Sequence, residues 1–414
     1  MSHCWIRFPL QLSLAGLVGL AQAAPLTFNA ALDQAENHAP VLAAQRAQIG
    51  AAQFAAMPAG ALPDPKLFVG IDNYPVSGPM RGSLTQDFMT MQKVGVMQEI
   101  PNADKRRARV EAAAAEVEVA EAQNRVARLK VRSEVALAWL NRYTLERKLT
   151  LFDALGRESR LLATAVQAQI ASGRAQPADA VMPKQEAAQL AERHDDLVRD
   201  LAKANAELRR LIGSAADEPL AGEPPTFNLA TASLRQHLPR HPEIAAFGAA
   251  VHKAEAEVSE AVAMKKPDWG VEFAYQKRGA QFGDMMSLQF TFDLPLFTRT
   301  RQDPNIAAKQ QELTRIDAER EAMLRDHASE LDSNMADYVA LGRQLDRTRQ
   351  EWLPLAQQKV DLVTASYQAG KADLTAVLAA RRELIEQRFK LIELDYQRAS
   401  SAARLHFAYG ENAP

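Results

Sequence analysis

One structural unit is written twice along this chain, and that constrains its fold more than any other feature. His38-Ala39-Pro40-Val41 recurs as His241-Pro242-Glu243-Ile244, with Val41 falling on Ile244 at an offset of 203. Each copy then runs through an alanine-rich stretch to a proline and a strand-like run. Pro65-Lys66-Leu67-Phe68-Val69-Gly70 is answered by Pro267-Asp268-Trp269-Gly270-Val271-Glu272. Gln98-Glu99-Ile100-Pro101 is answered by Phe292-Asp293-Leu294-Pro295 at an offset of 194, and each leads into a long charged segment. Ala171-Ser172-Gly173-Arg174-Ala175 returns as Gln368-Ala369-Gly370-Lys371-Ala372 at an offset of 197. Gly213 and Gly410, also 197 apart, read as C-terminal caps closing the two copies. Each half is therefore helix, strand, strand, long helix, helix.

The long segments lack helix breakers. Residues 103–171 contain only Gly156, and 305–369 only Gly342 and Pro354, of which the proline predicts a kink. At 1.5 Å per residue each reaches on the order of 100 Å. Ala112, Ala115, Val119, Ala122, Val126 and Leu129 recur at spacings of three and four in the first. Leu324, Ala328, Leu331, Met335, Tyr338, Gly342 and Leu345 do the same in the second. Such seams predict coiled-coil packing with close helix approach. Return helices follow over about 178–213 and 375–409.

The strand runs have period two. Trp269, Val271, Phe273 and Tyr275 alternate with Gly270, Glu272, Ala274 and Gln276, and Met286, Leu288, Phe290 and Phe292 alternate with Ser287, Gln289 and Thr291. Their length suits a tilted membrane strand. In the first hairpin, within about 63–100, Leu67, Val69 and Ile71 keep the pattern while Lys93 and Gly95 interrupt it. The second hairpin falls within about 267–297. Four strands cannot close a barrel in lipid, because open edges leave backbone groups unpaired. If the hairpins enter a membrane, the chain must oligomerise.

Residues 1–23 read as a signal peptide, with Arg7 before an apolar stretch and Ala21-Gln22-Ala23 as a small-residue site placing cleavage before Ala24. The single cysteine, Cys4, lies in that leader, so no disulfide or thiolate chemistry is expected in the mature chain. With 51 acidic and 49 basic residues the chain lacks the basic excess of a nucleic-acid surface. No phosphate loop, H-E-x-x-H or G-x-S-x-G element is present, so no enzyme activity and no cofactor are expected. His237 and His241 are four apart, but Pro239 and Pro242 break any helix that would align them, so they read as structural and no metal site is assigned. Met80, Met89, Met91, Met97, Met285 and Met286 lie in or near the hairpins, where packing is the ordinary role.

The duplicated unit, with its G-[RK]-A element before each returning helix, resembles the TolC family over essentially the whole mature chain. Leu62-Pro63-Asp64-Pro65-Lys66-Leu67 and Val96 through Arg106 (V-M-Q-E-I-P-N-A-D-K-R) look most like the heavy-metal branch, the CzcC and CusC type. The resemblance implies a mainly α protein with membrane β. Its repeats run over 24–220 and 221–414, and its homotrimer forms a 12-stranded outer-membrane β-barrel on a periplasmic α-helical barrel. It implies outer-membrane lipid, a periplasmic membrane-fusion adaptor and an inner-membrane proton-driven efflux pump as partners. The implied role is a passive duct in a resistance-nodulation-division system, for heavy-metal cations. Drug efflux, type I protein secretion and a periplasmic coiled-coil adaptor are the alternatives.

By the same resemblance, the helix-hairpin tips form the periplasmic gate. The residues that map there are Gly173, Arg174, Asp179, Tyr367, Gly370, Lys371 and Asp373. The sequence departs from the family pattern where Ala372, Ala376 and Ala379 replace an expected arginine and two aspartates. Asp179 and Asp373 also read as helix N-caps.

Overall fold

The computed structural model describes residues 25–227 and 229–410. The leader read in residues 1–23, the Ala24 junction and Cys4 lie outside the described residues. The first half contains α1 (Phe28–His38), α2 (Pro40–Ala56), β1 (Lys66–Asp72), β2 (Met91–Ile100), α3 (Ala103–Ala171) and α4 (Val181–Ile212). The second contains α5 (Thr231–His237), α6 (Pro242–Ala263), β3 (Trp269–Lys277), β4 (Met285–Phe292), α7 (Gln302–Arg347), α8 (Leu353–Gln368) and α9 (Leu374–Tyr409). The duplicated order is present.

The 69-residue α3 runs unbroken from an Asn102 cap whose side chain accepts from Lys105 N–H at 2.9 Å. That cap is held by the other repeat: Asp268 accepts from the Asn102 backbone at 2.8 Å and from Lys105 Nζ at 2.7 Å. The second long helix differs. Arg301, at its N-terminus, makes no side-chain cap, and a π-helical turn over Thr348–Trp352 joins α7 to α8. Pro354 is the cause: it has no N–H for the carbonyl four residues earlier, so the helix widens by a residue and continues. Both long-helix seams turn away from solvent, with Ala115, Ala122, Leu129, Leu331 and Leu345 fully buried.

The four strands form one antiparallel sheet in the order β1-β2-β3-β4, so the central β2–β3 pair joins the two repeats. The register stacks apolar residues in rows across it. Leu67, Val96, Phe273 and Leu288 are one row, and Val69, Val94, Tyr275 and Met286 the next. All eight are exposed. The opposite face carries Lys93 and Glu272, paired at 2.8 Å, with Ala274 and Gly95. Gly95 interrupted the sequence pattern for a packing reason. A Cβ there would meet Phe68 Cζ at 2.4 Å and the Phe273 carbonyl at 2.6 Å, so the glycine makes room for the Phe68 ring. Beyond β1 and β4 the sheet has no further strand among the described residues, leaving two open edges.

Midway along the helices a collar holds the main core. Trp139 of α3 is fully buried among Phe28, Leu32, Val135, Leu208 and Phe407, and its indole N–H donates to the Leu26 carbonyl at 3.2 Å. Leu26 bridges in parallel to Leu220, and the buried Arg142 donates to the carbonyls of Ala216 and Glu218 at 2.5 and 3.0 Å. The chain segment that links the repeats is thereby tied to the first long helix. A second cluster joins Leu234, Leu331, Leu405 and Tyr409.

Gly213 and Gly410 both stand as C-caps, their N–H groups donating to the Arg209 and His406 carbonyls. Their backbones differ: Gly213 has φ 68° and ψ −147°, a region essentially reserved for glycine, whereas Gly410 has φ of −73°. At Gly410 a Cβ would meet the His406 carbonyl at 2.4 Å, so close approach, and not a left-handed turn, calls for glycine.

Candidate functional site

The tips are built by two turns of the same geometry. Gly173 and Gly370 both sit at φ 71°, a conformation open to glycine at little strain. Gly173 N–H donates to Ile170 C=O at 3.0 Å and Arg174 N–H to Gln169 C=O at 2.9 Å. Gly370 N–H donates to Tyr367 C=O at 3.0 Å and Lys371 N–H to Ser366 C=O at 2.8 Å. These are paired C-terminal closures that satisfy the orphan carbonyls of α3 and α8 and reverse the chain.

Both aspartates open the returning helices. The Asp373 carboxylate accepts from Ala376 N–H at 2.8 Å as the N-cap of α9. The Asp179 carboxylate accepts from Gln176 N–H at 2.9 Å, within a reciprocal capping box on the short turn Pro177–Ala180 that leads into α4. Arg174 and Lys371 are exposed, and among the described residues neither forms an ion pair within the protomer.

The two tips meet. Val166 of α3 packs with Leu374 and Val377 of α9, and Tyr367, Met182 and Val363 cover that cluster. Burial raises the Tyr367 hydroxyl above the ordinary phenol range, and the Asp179 charge raises it further. The second-repeat tyrosine therefore lies within the field of the first-repeat aspartate, and its buried oxygen has no hydrogen-bond partner among the described residues. A charged layer lies nearby. Arg381 is 3.7 Å from Glu158 and 3.9 Å from Glu186, and Arg388 is 3.7 Å from Glu158. Burial pushes the Glu186 carboxyl up against the pull of Arg381 and Arg382. No spacing in the sequence joined these residues, because they come from three different helices. Gly156, the break in the first long helix, lines a cleft of about 360 Å³ between α3 and α4 with Phe152, Pro183 and His194.

The histidines that the sequence separated by prolines do not face each other. His237 Nδ1 lies 3.2 Å from the Tyr409 carbonyl. His241 instead caps α6, accepting from Glu243 N–H at 3.2 Å, and its ring lies 4.0 Å from that of His327, centroid to centroid.

The outer membrane efflux protein family profile matches residues 31–214 and 233–411, one span in each half. The chain belongs to the outer membrane efflux protein family. It is 24% identical over 394 residues to the cobalt-zinc-cadmium resistance protein CzcC of Cupriavidus metallidurans, covering 92% of this chain and 90% of that protein. Its fold is that of solved efflux channels. The outer membrane protein VceC of Vibrio cholerae superposes with a TM-score of 0.77 at 23% identity, covering 94% of this chain and 97% of that one. CusC superposes with a TM-score of 0.79 at 19% identity, covering 97% and 96%. As an outer membrane efflux protein, the chain belongs to the outer membrane, with its helical domain in the periplasm. No helix among the described residues is long and apolar enough to cross a membrane.

Proposed function

We propose that three copies close a 12-stranded barrel, each giving its four-stranded sheet, above a helical tunnel that passes heavy-metal cations out of the cell. The observation that carries this reading is the sheet itself. It has one continuous apolar face, one polar face and two open edges, a combination that survives in lipid only if neighbouring copies cover the edges. The apolar rows fit the lipid side, and the Lys93–Glu272 pair fits a wet lumen. The duct is passive and does no chemistry of its own. A periplasmic adaptor seals it to a proton-driven inner-membrane pump, which supplies energy and selects the cargo. Similarity to CzcC over nearly the whole chain supports cobalt, zinc and cadmium as that cargo.

At rest the tips hold the tunnel shut, with Gly173 and Gly370 shaping the turns. Arg174 and Lys371 supply cations, and Asp179, Asp373 and Tyr367 supply acceptors and a hydroxyl between copies. The exposed Arg174 and Lys371 side chains, unpaired among the described residues, support contacts across protomers.

Native mass measurement in detergent should give a trimer. Deleting the gene should sensitise cells to cobalt, zinc and cadmium salts while leaving tolerance of bile salts and hydrophobic drugs unchanged. The reverse pattern would replace the metal reading with a drug duct. The outer loops are readable by cysteine labelling at Ser77 and Gly283, where a Cβ at Gly283 meets nothing within 4 Å. Gly279 is unsuitable, since a Cβ there would strike the Thr85 carbonyl at 2.0 Å. Both engineered cysteines should react with an impermeant maleimide on intact cells.

A further inference from the structure

The second repeat gathers a set of donors that the gate and the duct do not use. His241 and Glu243 sit at the first turn of α6, and His327 lies in the middle of α7. One ligating atom from each lies within 4.8 Å of the other two. Both histidines are buried, and the Glu243 carboxylate is half-exposed beside them. His327 Nε2 is 2.9 Å from Glu243 Oε2. On the other edge of the ring, His327 Nδ1 is 3.1 Å from the Tyr409 hydroxyl, which in turn reaches the His327 carbonyl at 3.3 Å.

We propose that His241, Glu243 and His327 form a divalent transition-metal site, taking Zn²⁺ or a cation of similar borderline softness, that pins the start of α6 to the middle of α7. Two imidazoles and one carboxylate are the donor set of three-ligand zinc sites, with a fourth position left for water. Around a tetrahedral cation bonded at about 2.0–2.1 Å, donors stand about 3.3 Å apart. The trio therefore closes on an ion by ring and carboxylate rotations without moving a helix.

The surroundings suit an ion. A metal-bound histidine needs its far nitrogen held, because that fixes the tautomer and aims the near lone pair. Tyr409 offers that hold: Nδ1–H can donate to the tyrosine oxygen while the tyrosine O–H turns to the His327 carbonyl. With no ion bound, the other tautomer lets Nε2–H donate to Glu243 at 2.9 Å, so loading the site exchanges that proton for the cation. His241 would ligate through Nδ1, whose lone pair otherwise accepts from the Glu243 N–H, so the ion takes the place of that cap bond.

The first repeat lacks the arrangement. His38, which the duplication aligns with His241, is exposed on the last turn of α1 and contacts the Gln34 carbonyl of its own helix at 3.2 Å. The trio is thus not inherited from the shared architecture. It is also separate from the cargo reading: a cation held by three protein donors in the wall is a clasp, whatever passes through the tunnel.

The test uses the full-length protein purified in detergent, stripped with chelator and titrated with Zn²⁺ or Co²⁺ alone. A single equivalent per chain should bind. Co²⁺ should develop the visible absorption bands of a four- or five-coordinate nitrogen-oxygen site. His327→Asn and Glu243→Gln should each weaken binding at least about tenfold, and Zn²⁺ should raise the melting temperature of the wild type but not of the variants. Glu243→Gln keeps the side-chain volume and an acceptor for His327, so it remains informative if His327→Asn fails to assemble. Wild-type protein that binds well below one equivalent, or a folded Glu243→Gln variant that binds as tightly as wild type, would overturn the site. The titration is read on isolated protein, so a failure here is distinct from a failure of the metal-efflux phenotype.

Discussion

The two repeats keep the same tips and different collars. At the tips, Gly173 and Gly370 share φ of 71° and equivalent hydrogen bonds. In the collar the first repeat fills its space with an aromatic core: Trp139 meets Phe28 edge-on at 5.5 Å and stacks on Tyr143 at 5.3 Å. The second repeat places His241, His327 and Tyr409 in its own collar, between α6, α7 and α9. A tight reversal has few solutions, so both copies retain the one they share. A packed volume can be filled in many ways, so the collars were free to diverge.

The largest expected contrast lies between the collars. Trp139→Ala should destabilise by about 3–5 kcal/mol and lower the melting temperature of the assembled protein sharply. Tyr409→Phe keeps the ring and removes one hydroxyl, and should lose about 1 kcal/mol. Equal losses would mean that the polar collar carries as much of the fold as the aromatic one.

At the tips the comparison predicts equality. Gly173→Ala and Gly370→Ala each force a side chain into the left-handed region and should lose about 1–2 kcal/mol, read by the midpoint of denaturant unfolding. A clear inequality between them would break the equivalence of the turns.

The helix starts predict inequality. Asn102→Ala removes a cap that also anchors Asp268, for a loss of about 1 kcal/mol. Arg301→Ala removes no cap and should be neutral. Melting curves of the two variants measured side by side decide the matter.

A pH effect is also expected in the first collar. His406 stacks on Phe227 at 4.4 Å, and burial, with the Arg132 charge adding, holds its imidazole below the usual range. The unfolded chain therefore takes up that proton first. The stabilisation present above about pH 6.5 is lost as pH falls below it. His406→Phe should flatten the acid limb of the melting-temperature profile, and an unchanged limb would assign the loss to other groups.

The smallest effect is expected at the proposed gate. Exposed charged contacts are worth about 0.2–1 kcal/mol each, though three-fold symmetry repeats them. Asp179→Ala combined with Tyr367→Phe should raise resting conductance in planar bilayers and admit vancomycin to cells. Wild-type conductance from an intact trimer would leave Asp179 as a cap and Tyr367 as packing.

The sequence carried the architecture because that architecture rests on local rules. The first long helix has the bounds 103–171 that its lack of breakers implied. The strands fall where period-two alternation put them, somewhat shorter at 66–72 and 285–292. Pro354 deformed its helix as a proline must. Gly410 caps its helix as read, but whether its glycine serves a positive φ or a close approach was not legible, because composition does not separate the two. At the site, the turn glycines and the Asp373 cap were legible, since caps act within a few residues; Asp179, read as an N-cap, instead closes the turn Pro177–Ala180, and α4 follows Ala180 without a side-chain cap. The Tyr367–Asp179 coupling was not, because it crosses between hairpins nearly two hundred residues apart in the chain.

Duplication, helix length, strand alternation and turn chemistry were thus determined by the sequence alone, since each depends on neighbours a few residues away. Which distant side chains share a volume was decided only by the tertiary structure. The flanking prolines gave His241 a structural role, and packing set it beside His327. That partner lies on another helix, and its distance in sequence carries no information about its distance in space.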